Sequence, residues 1–142
     1  MNSIFKEVDD NLAKAFIAKQ MVECATEDYF KFTIFVSDTD KLKVVTNWCE
    51  ELRKEYIPSY VNKVKNSVNG YIIEYYSGSI LNAMVLSENK RGHKCHAILL
   101  DENIPDNLKE LAYYTLLPFP MNQDFTGEYK KSRVMKVVIR SE

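Results

Sequence analysis

The sequence predicts an α/β domain: a mainly parallel sheet with helices on both faces and an inserted β-hairpin. Three observations carry this. Apolar residues recur at helical spacing over 5–27, 40–57 and 106–116. Short runs rich in β-branched and aromatic residues lie between them, at 30–37, 95–100 and 133–140. Two further runs, 71–76 and 79–86, flank Ser77-Gly78 and read as a hairpin. Strands alternating with helices favour parallel pairing.

The elements follow in order. In the first helix Ala13, Ile17, Met21, Cys24 and Ala25 share a face, with Leu12 and Phe16 beside them. The run FKFTIFVS at 30–37 is apolar almost throughout, as expected of a strand covered on both faces. Ser37 and Asp38 can cap the second helix, whose stripe is Leu42, Val45, Trp48 or Cys49, Leu52 and Tyr56. Pro58 interrupts that helix or opens a further helical turn, with Tyr60, Val61 and Val64 continuing the pattern toward Asn69-Gly70. Leu108, Leu111, Ala112 and Leu116 line one side of the third helix, which Pro118 and Pro120 terminate. Residues 118–132 form the one soft region, and no linker or repeat divides the chain, so 1–142 reads as a single domain.

Composition excludes several classes. The chain has 142 residues with 46% hydrophobic side chains, enough for a core without disulfides or a structural metal. Its 19 basic and 20 acidic residues nearly cancel, so overall charge gives no reason to expect nucleic-acid binding. Cys24, Cys49 and Cys95 are odd in number and widely spaced, which suits a reducing compartment. The N-terminal MNSIFKEVDD lacks the apolar core of a secretory signal, and no apolar run is long enough to span a bilayer. A cytoplasmic location without a membrane partner is expected.

The most specific chemical feature is the segment 87–102, SENKRGHKCHAILLDE, where an apolar strand ends in Asp101-Glu102. At the carboxyl edge of a parallel sheet such groups point into the crevice where ligands bind. Paired carboxylates there suit magnesium and water activation in a nucleoside triphosphatase; capping of the following turn by Asp101 is the plainer reading. Lys90 and Arg91, with Lys94, form a small basic run able to contact phosphate. Lys130, Lys131 and Arg133 form another. His93, Cys95 and His96 supply metal-type ligands but no fourth partner, and no base-orienting group marks Cys95 as a nucleophile. On the hairpin, Tyr71 and Tyr75 alternate onto one face, either as a partner surface or as core.

Taken in order, these features resemble the ATPase domain of the large terminase subunit of tailed phages. Gly78-Ser79 on a hairpin, Ser87, Arg91-Gly92 and AILL-Asp101-Glu102 match that family's sequence of motifs. The strand and helix FKFTIFVSDTDKLKVV, the LLPF that ends the helix after Asp101-Glu102, and the last strand VVIRS fall at matching places. The resemblance implies ATP and magnesium as cofactors, with Asp101 as metal ligand, Glu102 orienting water and Lys90 or Arg91 at the phosphates. It also implies a phage-encoded protein in a bacterial host cell, with DNA reached through a packaging complex. The sequence departs from the family at one decisive point. The first glycine is Gly70, and no G-x-x-x-x-G-K-[ST] precedes the first helix. Lys14 lies near the place of the missing lysine but inside a helical run. A non-catalytic or degenerate member that binds a protein partner is therefore expected, with a magnesium-dependent ATPase as the alternative.

Overall fold

The computed structural model describes residues 2–87, 94–113, 115 and 134–141. The chain runs α1 (Asn2–Thr26), β1 (Lys31–Val36), α2 (Thr39–Glu55), a 3₁₀ turn (Pro58–Tyr60), β2 (Val61–Ser67), β3 (Gly70–Tyr75), β4 (Ile80–Val85), β5 (Ala97–Asp101), α3 (Asp106–Tyr113) and β6 (Val134–Val137). One mixed sheet of order β2-β3-β4-β1-β5-β6 results. β1 pairs in parallel with β4 and β5, and β5 with β6, while β2, β3 and β4 are antiparallel neighbours.

Side-chain alternation along β1 builds the two layers. Phe30, Phe32, Ile34 and Val36 face α1 and α2, in one core with Ala13, Phe16, Ile17, Met21, Leu42, Val45, Trp48 and Leu52. The Phe16 ring meets Phe32 edge-on at 5.8 Å, and the Lys14 ammonium sits 5.8 Å over the Trp48 ring. Phe35 points the other way, into a second core with Met84, Leu86, Ile98, Leu100, Ile104 and Ala112. So α1 and α2 cover one face and α3 the other. That explains why β1 and β5 read as unbroken apolar runs.

Residues 61–67 differ from the helical expectation. Ile57, in the left-handed region at φ 55, and Pro58 end α2, and the chain then enters β2. The register skips a residue between Val61 and Lys63, opposite Tyr75 and Glu74. This bulge places Val61 and Val64 on the same face although they are three apart. In sequence that spacing imitates a helix. The Asn69-Gly70 step is a hairpin turn, so the sheet carries two hairpins rather than one.

The parallel half sets the site. From β1 the chain passes through α2, β2 and β3 to β4 on one side; from β5 it passes through α3 to β6 on the other. The carboxyl ends of β1 and β5 thus flank the point where strand order reverses, where an open α/β sheet forms its crevice.

Candidate functional site

Asp101 closes β5 at this switch point, directly beside Ser37 at the end of β1. Its side chain is fully buried. Oδ2 accepts from the Ser37 amide at 3.1 Å and from the Ser37 hydroxyl at 2.8 Å. Oδ1 accepts from the Asn103 amide at 3.1 Å and, more weakly, from the Ile139 amide at 3.5 Å. A carboxylate offers about four lone-pair positions, and all are taken. The group ties together the ends of β1, β5 and β6.

Glu102 faces the other way. Its amide donates to Val137 O at 2.8 Å, and its carboxylate accepts from Lys109 Nζ at 3.1 Å. Glu102 holds the Lys109 ammonium above its ordinary range, by that hydrogen bond first. The residues expected to hold magnesium therefore do not fit it. A cation at Asp101 would have to displace the four donors that already fill its carboxylate, among them the buried Ile139 amide. Glu102 makes a partly exposed salt bridge to Lys109 of α3. Lys90 and Arg91 lie outside the described residues, as do His93 and the rest of 88–93, and the 130–133 basic run.

The neighbouring candidates are structural. Cys95 is buried, its Sγ 3.5 Å from Thr115 Oγ1, and burial pushes its thiol up, away from nucleophilic use. His96 stacks on Phe30 at 5.6 Å, and its Nδ1 accepts from the Lys31 amide at 3.0 Å. Among the described residues no group of three or more His, Cys, Asp or Glu side chains is placed to hold a metal. Gly78-Ser79 is a joint. Gly78 turns at φ 84, and Ser79 Oγ donates to Glu27 O at 2.7 Å while accepting from the Phe30 amide at 2.9 Å. This fastens the β3–β4 turn to the end of α1.

Tyr71 and Tyr75 are not a partner surface. Both are buried on the α2 side of β3. The Tyr71 hydroxyl donates to the Glu50 carboxylate, which Arg53 clasps at 2.8 and 3.0 Å. Arg53, then Tyr71, hold the Glu50 carboxyl below the usual range. Burial pushes both phenols well above theirs. The correction has a simple cause: β3 is one strand in from the edge, and its even-numbered side chains, not Tyr71 and Tyr75, face away from the helices.

The hairpin does present aromatic surface, but from its turn. Tyr76 and Tyr29 are each 71% exposed, and Tyr60 and Tyr56 are 47% and 42% exposed. Tyr76 N donates to Tyr60 O at 3.1 Å, and Tyr29 N to Ser77 O at 3.3 Å, so Tyr29, Tyr60 and Tyr76 meet around one turn. Tyr29 occupies the left-handed region at φ 58, and its ring lies directly against Gly78. A tyrosine there costs about 1 kcal/mol relative to glycine. Sequence periodicity gives no sign of this cluster, because its members belong to turns.

A cleft of about 610 Å³ lies between α2 and the β2–β3 turn, lined by Thr39, Leu42, Lys43, Asn47, Asn66 and Val68 among others. Neither carboxylate of the Asp101-Glu102 pair reaches it. Among the described residues no helix is long and apolar enough to cross a membrane. No family model, curated protein or solved structure matches the chain.

Proposed function

We propose that the chain is a non-catalytic binding domain on an ATPase-like α/β sheet, acting by docking a protein partner at the β3–β4 turn. One observation carries this reading. Among the described residues the carboxylate pair at the sheet's switch point is engaged within its own fold, Asp101 by backbone amides and Ser37, Glu102 by a partly exposed ion pair with Lys109. The exposed tyrosines supply the positive side of the argument. Tyrosine rings bury much area at small entropic cost and keep a hydroxyl for a polar contact, which is why they concentrate at binding surfaces. The terminase-like order of motifs adds a phage packaging complex, and through it DNA, as the place to seek the partner.

A second reading, a magnesium-dependent ATPase completed by another chain, draws support from the position of Asp101-Glu102 at the switch point. It needs Asp101 to give up buried hydrogen bonds, so it ranks second.

A benzophenone amino acid placed at Tyr76 should cross-link the partner in cells, whereas one at Tyr113 on α3 should not. A chain carrying Tyr29→Ala and Tyr76→Ala should recover at least tenfold less of the same partner, as expected when central aromatic contacts are lost. Equal cross-linking at both positions, or none at Tyr76, would count against this surface.

A further inference from the structure

α1 carries two apolar stripes, and among the described residues only one is packed into a core. Ala13, Phe16, Ile17, Met21 and Cys24 face the sheet and α2. On the opposite side the solvent line runs Phe5, Val8, Leu12, Ala15, Lys19, Val22, at alternating steps of three and four. All six are exposed; Phe5 is 64%, Val8 and Leu12 51% and Val22 38% open, with Ile4 beside them at 69%. A helix that lies on its own core shows polar residues on this line. Steps of three and four sustained along a helix are instead the seam by which two helices pair.

We infer that α1 pairs with α1 of a second copy, antiparallel, about a two-fold axis between Ala13 and Lys14. Side-chain size and charge choose this arrangement. With antiparallel helices Leu12 packs on Ala15 of the second copy, Phe5 on Val22, and Val8 beside Lys19. Large meets small in the central layer, and each Lys19 ammonium comes next to the other copy's Asp9, which Arg140 already holds at 2.7 Å. A parallel pair would set Lys19 on Lys19 and leave a gap at Ala15 on Ala15. The two-fold arrangement is self-complementary, as an isologous interface must be. Covering the seam and its flanks from both copies removes on the order of 1,000 Å² from water, the lower bound for a specific interface. The inference stands apart from the tyrosine turn, which lies at the other end of α1.

Sedimentation equilibrium of the full chain tests it. A dimer is expected above about 10 µM, the strength of a small interface. Leu12→Glu at the centre of the seam, and separately Phe5→Glu near its end, should each weaken association at least tenfold. Both side chains lie outside the core, so far-UV circular dichroism should stay unchanged, and the melting temperature should match the parent's at concentrations too low for the dimer to form. An equimolar mixture of Leu12→Cys and Ala15→Cys chains should oxidise mainly to the mixed disulfide dimer. A chain that stays monomeric to about 200 µM, several times any useful small-interface Kd, overturns the inference. So does a dimer that both glutamate variants leave intact. Leu12→Cys chains that link mainly to themselves would overturn the antiparallel arrangement. None of these outcomes bears on partner capture at Tyr76, so the two proposals fail separately.

Discussion

Asp101→Ala should lower the stability of the domain by about 3 kcal/mol or more. The alanine removes the acceptor for the Ser37 amide and hydroxyl and for the Asn103 and Ile139 amides, at a side chain with no solvent exposure. A buried donor that loses its acceptor, as the Ile139 amide would, forfeits hydration as well as the hydrogen bond, at about 1–3 kcal/mol before relaxation, and the part-buried Ser37 and Asn103 donors add less each. Domains of this kind are stable by only about 5–15 kcal/mol, so the loss is large against the whole. Asp101→Asn keeps one acceptor oxygen but turns an NH₂ toward amide donors, and should fall between the two. Urea unfolding followed by Trp48 fluorescence reads both. Glu102→Gln, whose carboxylate is partly exposed and among the described residues pairs with Lys109, should stay within about 0.5 kcal/mol of the parent. An Asp101→Ala midpoint equal to the parent's would show that the carboxylate does not hold the ends of β1, β5 and β6 together.

Ser79→Ala should cost about 2–3 kcal/mol, the next largest effect. Ser79 is fully buried, and its one hydroxyl serves two chain segments, donating to Glu27 O and accepting from the Phe30 amide. With Ser77, whose hydroxyl donates to Cys24 O at 2.6 Å, it holds the β3–β4 turn against the end of α1. Loosening that joint also frees the Tyr29 ring from Gly78, so the variant should lose partner cross-linking at Tyr76 along with stability. Hydrogen exchange localises the effect: amides of 76–80 and 27–30 should exchange faster than those of β5. Uniform acceleration across the sheet would mean that Ser79 supports the core at large rather than this turn.

The parallel half of the fold was legible in the sequence because burial on both faces leaves unbroken apolar runs, as at 30–37 and in AILL before Asp101. The helices covering both faces followed from their stripes. β2 was not legible: its bulge puts Val61 and Val64 on one face at a spacing that belongs to a helix. Tyr71 and Tyr75 were placed on one face correctly, but a single strand's alternation does not say which face is covered. Leu12 shows the same limit in a helix. It sits beside the core stripe in sequence, yet its side chain belongs to the outer one. Asp101-Glu102 was found where expected in the chain and at the expected place in the sheet. What sequence does not carry is the occupancy of the carboxylate, since its donors Ser37, Asn103 and Ile139 come from three separate segments. The tyrosine turn left no periodic trace at all, and its marker is the left-handed backbone of Tyr29.

Calorimetric titration of the chain with ATP and magnesium, alongside Glu102→Gln, separates a structural carboxylate pair from a working nucleotide site. Glu102→Gln is the right companion because, unlike Asp101→Ala, it leaves the fold intact. A domain whose switch-point carboxylates are spent on its own structure should give no binding heat up to about 1 mM ATP, a free energy weaker than about −4 kcal/mol, in either protein. Micromolar binding in the parent that Glu102→Gln alters would show a working nucleotide site at Asp101-Glu102, and would contradict the non-catalytic reading.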